Sequence, residues 1–165
     1  MSPRGPLVIG IGHRLRGDDA LGLEVLEALR IRLADRPGPA PRLRCLPGDA
    51  TGLLAAWEGE DCVLVIDALA APEAASGQSP VWRIDARAGA LPALYERASS
   101  HGLGLAEAVE LGRSLERLPA RLVVFAVRGE SFGRREGLSA AAQAAIRPAV
   151  AALEHELAAL AKAAA

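Results

Sequence analysis

Short apolar runs alternate along the chain with longer stretches in which apolar residues recur every three or four positions. The short runs predict buried β-strands at residues 7–11, 43–46, 62–66 and 122–127. Residues 81–85 form a more mixed run, which is typical of a strand at the edge of a sheet. The turn-rich segments between the runs leave room for helices that connect one strand to the next.

The longer stretches predict helices. After the first strand, apolar residues recur every four positions and therefore share one face of a helix: Leu21, Val25, Leu29 and Leu33. The turn Pro47-Gly48-Asp49 leads into a short helix through Leu54 and Trp57. A further helix follows Ser99-Ser100-His101 and is expected to end near Leu118.

The last helical region combines an apolar stripe with a proline. Ser139 is expected to be its N-cap, because a serine hydroxyl accepts a hydrogen bond from the first turn of a helix. Pro148 lacks a backbone N–H and should kink or divide the region. The stripe that should face the core consists of Ile146, Val150, Leu153, Leu157 and Leu160.

This order of elements predicts an α/β fold. Strands that alternate with helices form a largely parallel sheet covered on both faces. We therefore expect one three-layer domain over residues 1–165, with a mostly parallel twisted sheet of about five strands and helices on both faces. The strand order is not readable from the sequence.

Composition narrows the class of protein. Hydrophobic residues make up 51% of the chain and aromatic residues 3%, so the core must be aliphatic. The formal net charge is −1 with interspersed signs, so we expect neither a nucleic acid nor a membrane as partner. No apolar run approaches the length of a membrane span, and the chain does not begin like a signal peptide, which predicts a soluble cytoplasmic protein.

Cys45 and Cys62 lie in predicted buried strands and are interpreted as free thiols.

Polar side chains follow the apolar runs. His13, Asp18 and Asp19 come after the first strand, Asp67 comes directly after residues 62–66, and His101 precedes a predicted helix. Ligands of open α/β sheets bind beyond the carboxyl ends of the strands. Two carboxylates and an imidazole that met there would form a mixed oxygen and nitrogen site suited to nickel or zinc.

Each of these residues also has a structural interpretation. Asp18 or Asp19 could cap the following helix, and Asp67 could stabilise a turn. A single histidine such as His101 is more often a surface or core residue than a ligand. His155, in a helix rich in alanine, leucine and glutamate, is expected to face solvent.

Several common site motifs are absent. Gly10-Ile11-Gly12 lacks the third glycine of a dinucleotide-binding loop, since Leu15 stands in its place, and the glycines are better explained by a sharp turn. The sequence contains no GxSxG or HExxH motif, and neither cysteine lies in a nucleophile motif. The sequence therefore gives no support for a serine hydrolase, a cysteine hydrolase or a zinc protease of the HExxH type.

The chain resembles the hydrogenase maturation proteases. Residues 7–22, LVIGIGHRLRGDDALG, are similar to the family's N-terminal signature of GxGN, a short loop, two acids and a glycine-containing helix start. The resemblance continues in order through Val65-Ile66-Asp67-Ala68, residues 100–105, Gly129-Glu130-Ser131 and Gly137-Leu138-Ser139, and so covers almost the whole chain.

The resemblance implies an endopeptidase that removes a C-terminal extension from the large-subunit precursor of a [NiFe] hydrogenase after nickel insertion. It also implies that Asp19, Asp67 and His101 contact the metal, with Asp19 and Asp67 as the candidate catalytic acids. The nickel would be carried by the precursor, which is the expected partner, and no tightly bound organic cofactor is implied. We expect a monomer, because the last helical region can pack on its own sheet.

The chain departs from the family at three positions. His13 replaces the common asparagine, Ala20 an often-present glycine, and Asp19 the glutamate of some members; residues 48–52 match the family only loosely. We interpret His13 as a hydrogen-bonding loop residue rather than an added metal contact. A nickel-sensing checkpoint or chaperone that does not cut its partner would use the same three residues, and remains the alternative function.

Overall fold

The computed structural model describes residues 5–37, 40–70, 78–93, 102–134 and 137–164. In this part of the chain the strands are β1 (Leu7–Ile11), β2 (Arg42–Leu46), β3 (Cys62–Ala70), β4 (Val81–Asp85) and β5 (Arg121–Gly129). A 3₁₀-helix (Gly17–Ala20) leads into α1 (Leu21–Leu33), and the other helices are α2 (Ala50–Trp57), α3 (Gly102–Ser114) and α4 (Ala140–Ala163). Within the described residues, no helix has the length and apolar character needed to cross a membrane.

The five strands form one sheet in the order β2-β1-β3-β5-β4. Neighbouring strands are parallel except β4, which is antiparallel to β5 at one edge. The carboxyl ends of β1, β3 and β5 therefore meet at one edge of the sheet. The predicted α/β fold, the mostly parallel sheet and the edge position of residues 81–85 are confirmed.

Helices cover both faces of the sheet. The face that carries Val65 and Leu69 packs against α2 and α3, with Trp57 fully buried among them. The opposite face, which carries Leu64 and Ile66, packs against α1 and α4. This alternation of side chains along β3 produces the predicted three layers.

Several predicted boundaries differ from the structure: β2 and β5 each begin one residue earlier than predicted, and β5 continues to Gly129. Residues 62–66 are only the first part of β3, which continues to Ala70 because β5 pairs with it residue by residue up to Gly129. Helix α3 ends at Ser114 rather than near Leu118. Pro148 does not divide α4, which remains one helix with its buried apolar side on the sheet before and after the proline. Ser139 is the N-cap of α4, as predicted.

The prediction that both cysteines are buried was wrong for Cys45. Both thiols are free, but Cys45 is exposed because β2 is an edge strand, and Cys62 is only partly buried. Burial raises the pKa of the Cys62 thiol, which keeps it protonated and a poor nucleophile. His155 is exposed, as expected.

A charged cluster joins α4 to the far edge of the sheet. The buried carboxylate of Glu156 accepts hydrogen bonds from the Arg83 guanidinium at 2.7 and 2.9 Å, and Arg121 lies 3.6 Å away. The hydrogen bonds from Arg83 outweigh burial and lower the pKa of Glu156 below its ordinary value. The cluster fixes the last helix against β4 and β5.

We expect Glu156→Gln to lower the free energy of unfolding by about 1–2 kcal/mol at neutral pH, because the arginines remain partly exposed to water. Since the folded-state pKa is lowered, this contribution is present above the unfolded-state pKa and is lost as pH falls through the folded one. Urea titrations at neutral and acidic pH measure both effects. The exposed pair Glu58–Arg117 supplies the control Glu58→Gln, and equal losses in the two variants would contradict the prediction.

Candidate active site at the carboxyl edge of the sheet

The chain turns sharply where β1 ends. Gly12 has a φ of +154°, and a Cβ at this position would collide with the carbonyl oxygen of Asp19. The loop that follows β1 therefore folds back onto its own start, and only glycine allows this contact. The predicted turn role fits Gly12 but was wrong for Gly10, which lies within β1 and lies against the backbone of Gly22.

A second glycine brings α1 against the sheet. A Cβ on Gly22 would collide with the carbonyl oxygen of Ile11 and lie 2.8 Å from that of Ile66. Asp19 lies about one helical turn before Gly22, and Asp67 directly follows Ile66. The close approach therefore places the two carboxylates on adjoining segments at the same edge of the sheet.

Asp19 is held by the loop after β1. It is 2% exposed, and its Oδ2 accepts a hydrogen bond from the backbone N–H of His13 at 3.0 Å. The Nδ1 of the same histidine lies 3.1 Å from Oδ2. His13 is therefore a hydrogen-bonding loop residue that orients Asp19, in agreement with its predicted role.

Asp18 is buried and has a different role. Its carboxylate accepts four hydrogen bonds: from the backbone N–H groups of Glu130 (2.7 Å), Ser131 (2.9 Å) and Ser139 (2.7 Å), and from the Ser139 hydroxyl (2.6 Å). It thus joins the 3₁₀-helix to the end of β5 and to the start of α4. The prediction that one of the two aspartates caps the following helix was wrong, because the N-cap of α1 is Ala20 and that of the 3₁₀-helix is Arg16, and neither side chain accepts a capping hydrogen bond.

The four hydrogen bonds determine the charge of Asp18. Burial by itself would raise the pKa of the carboxyl, but the bonds from Ser139 and from the backbone at Glu130 and Ser131 outweigh it and lower the pKa. Asp18 is therefore ionised at neutral pH. Ser139 donates its hydroxyl proton to Asp18 and accepts a hydrogen bond from Ala142, so the same oxygen also caps α4.

Asp67 lies within β3 rather than after it. It pairs with Ala126 of β5, is 1% exposed, and occupies the face of the sheet that carries Val65 and Leu69. Because this face packs against α2 and α3, the carboxylate is directed toward the layer that contains those helices. The turn interpretation of Asp67 is therefore wrong.

The beginning of α3 lies at the same edge of the sheet. A Cβ on Gly104 would collide with the carbonyl oxygen of Gly48, in the turn that follows β2. His101 directly precedes Gly102, the first described residue of this helix, and itself lies outside the described residues. The predicted third member of the site is thus known only by its place in the sequence.

The described acids do not form a complete metal site. Within the described ranges, which omit His101, no group of three or more histidine, cysteine, aspartate or glutamate side chains could hold a metal ion. Asp19 and Asp67 supply carboxylate oxygens, which suit hard and borderline divalent ions.

An open cleft of about 870 Å³ lies beside the loop after β1. It was not predicted, because Arg134 comes from a segment far along the chain and no local pattern indicates that it meets this loop. The cleft is lined by Gly12, His13, Arg14, Leu15, Arg16, Leu23 and Arg134. His13 belongs to both the cleft and the hydrogen bond to Asp19.

Two buried acids at the carboxyl edge of a mostly parallel sheet, one of them hydrogen-bonded to a residue that lines an open cleft, give the layout of an α/β enzyme. Comparison with known proteins defines the class further. The chain is 33% identical over 159 residues to hydrogenase 2 maturation protease of Escherichia coli, a match that covers 93% of this chain and 89% of the relative. No protein-family model matches the chain.

Solved structures similar to this chain are also hydrogenase maturation proteases. The hydrogenase maturating endopeptidase HybD from Escherichia coli superposes with a TM-score of 0.69 at 30% identity, over 96% of this chain and 93% of that one. The [NiFe] hydrogenase maturation protease HybD from Thermococcus kodakarensis has a TM-score of 0.69 at 20% identity, over 93% and 99%, and supports the fold. The chain belongs to the hydrogenase maturation protease family and is an endopeptidase, as its sequence predicted.

We expect Asp18→Asn to lower the free energy of unfolding by about 2–4 kcal/mol, because an amide group replaces an oxygen that accepts buried hydrogen bonds. Since the pKa of Asp18 is lowered in the folded state, its contribution is complete above the unfolded-state pKa and disappears as pH falls through the folded one. Urea denaturation followed by circular dichroism measures the change. The exposed Asp35→Asn is the control, and unfolding curves that match for the two variants would show that the bonds add nothing.

Proposed function

We propose that this protein removes the C-terminal extension of a [NiFe] hydrogenase large-subunit precursor once nickel has been inserted, with the nickel in the precursor as its recognition signal. Family membership supports the substrate class, since the relatives are named for hydrogenase maturation. The observation that carries the proposal is the pair of buried carboxylates, Asp19 and Asp67, on adjoining segments at the carboxyl edge of the sheet, with Asp19 hydrogen-bonded to His13 in the lining of an open cleft.

In this proposal the metal-contacting residues are Asp19, Asp67 and His101. The first two are almost completely buried, so water screens them poorly and their attraction to a divalent ion is strong. The backbone N–H of His13, which lines the cleft, donates a hydrogen bond to Asp19 and keeps its carboxylate oriented for contact with the metal. Carboxylate and imidazole together suit nickel better than a soft, thiolate-seeking ion.

A nickel ion that is carried by the precursor can serve as a recognition signal. A nickel ion held by ligands of the precursor gains contacts from the protease only when the precursor docks. A precursor without nickel loses these contacts, and every 1.4 kcal/mol of lost binding free energy weakens binding about tenfold. Recognition is therefore a difference between two affinities and needs no metal resident in the protease.

Peptide hydrolysis requires a group that takes a proton from the attacking water and one that gives a proton to the leaving amine. Asp19 and Asp67 are the acids that we assign jointly to this exchange, since both lie at the edge where the precursor's metal would be recognised. No hydroxyl or thiol nucleophile is assigned. In this proposal the protein acts as a cytoplasmic monomer without a tightly bound organic cofactor.

The test compares nickel-loaded with nickel-free large-subunit precursor in a gel mobility assay. We expect the wild-type protein to shorten only the nickel-loaded form. Asp19→Asn and Asp67→Asn should each slow cleavage by at least about a hundredfold, because each removes a metal contact and a proton acceptor. Asp35→Asn, an exposed and distant change, is the control and should cleave normally.

Each other result has a definite meaning. Nickel-dependent binding without shortening would replace the protease by the checkpoint function. Equal shortening of both precursors would show that nickel is not the signal. Full activity of Asp19→Asn and Asp67→Asn, with unchanged circular-dichroism melts, would remove the two acids from the site.

A further inference from the structure

The cleft beside the site carries a concentration of positive charge. Arg14 and Arg16 lie in the loop after β1, and Arg134 reaches the same cleft from the segment after β5. All three arginines are exposed, and none of the described residues that line the cleft is acidic. Two segments distant in sequence thus place three guanidinium groups around one open space.

Within the described parts of the chain, little neutralises these three positive charges. Arg14 lies 3.4 Å from Glu24, but their side chains are 69% and 39% exposed, so the pair is well screened by water. Among the described residues, no carboxylate lies within ion-pair distance of Arg16 or Arg134. Arg32 and Arg36, by contrast, share Glu154. The described lining of the cleft therefore carries a net positive charge.

The cleft also has an apolar component. Leu15 is 64% exposed and stands in sequence between Arg14 and Arg16, while the nearly buried Leu23 also lines the cleft. An exposed leucine among cations is suited to a partner that offers an apolar side chain together with acidic ones. A small inorganic anion could contact the arginines but would leave the exposed leucine without a partner.

The position of the cleft connects it to the acids. Gly12 and His13 line it, and His13 donates a hydrogen bond to Asp19. A polypeptide whose cleaved bond lies near Asp19 therefore has this cleft beside it. The adjoining residues of that polypeptide are the occupant that the location favours.

We propose that the cleft binds an extended, acidic segment of the substrate polypeptide next to the bond that is cut. Its carboxylates contact the three arginines and an apolar side chain contacts Leu15. This inference rests on the proposed protease function and adds the chemistry of the flanking sequence. Arginine favours such contacts because its planar guanidinium can form two hydrogen bonds with one carboxylate.

The test combines Arg14→Gln, Arg16→Gln and Arg134→Gln in one variant. Its matched control combines Arg32→Gln, Arg36→Gln and Arg117→Gln, which change the charge equally at the opposite edge of the sheet. Steady-state cleavage of nickel-loaded precursor gives kcat and KM, and labelled precursor gives Kd by fluorescence anisotropy. Because exposed charge contacts contribute modestly, we expect KM and Kd to rise about two- to fivefold for each arginine, with kcat nearly unchanged.

Salt and the precursor's own acids provide an independent readout. Added salt should raise KM for the wild type and the control but have much less effect on the cleft variant. Changing each acidic residue near the cut to its amide should raise KM for the wild type. The same changes should have little effect on the cleft variant, because the paired contact is already lost.

The results separate this inference from the proposed function. Unchanged KM and Kd in the cleft variant, with normal wild-type cleavage, would overturn the inference and leave the protease intact. If the wild type binds the precursor without cutting it, the Kd comparison still decides the role of the cleft. Sensitivity to amidation of the precursor's C-terminus, instead of its acidic side chains, would also overturn the proposed occupant.

Discussion

The buried carboxylate of Asp18 connects the parts of the chain that form the site. A buried carboxylate strongly destabilises the folded state unless its oxygens accept hydrogen bonds. Here the segment after β5 and the N-cap residue of α4 donate all four bonds that Asp18 accepts. None of these segments can move away without exposing an unsatisfied charge or donor to a dry environment. Asp19 is the next residue, so the position of the proposed catalytic acid depends on its neighbour's bonds.

Close backbone contact completes this arrangement. At Gly12 and Gly22 the chain approaches carbonyl oxygens so tightly that a Cβ would collide. The loop and the first helix are thereby pressed onto the ends of β1 and β3, where Asp19 and Asp67 lie. Packing of the main chain sets where the acids are, and hydrogen bonds from His13 set how one of them is oriented. The cleft with its arginines lies on the outer side of the same loop.

The sequence predicted most strands and helices, but it did not predict the contacts between residues that are distant in the chain. An apolar run predicted β1 to the residue because burial of a strand is visible locally, and a mixed run predicted the edge strand β4 equally well. The end of β3 was missed because Asp67 interrupts the apolar run, whereas pairing with β5 depends on backbone groups that every residue carries. Asp18 was read as a cap because its donors lie 112 and 121 positions away. No local pattern encodes such a partnership.

The bond between Asp18 and Ser139 has a consequence for the order in which the protein is made. Synthesis proceeds from the amino end, so the ribosome adds Asp18 long before the residues that satisfy it. Until the segment with Ser139 has emerged, the carboxylate must stay hydrated, and the loop that bears Asp19 lacks its anchor. A nascent chain therefore has no assembled site. The protease becomes able to process another polypeptide only after translation of its own last helix has begun.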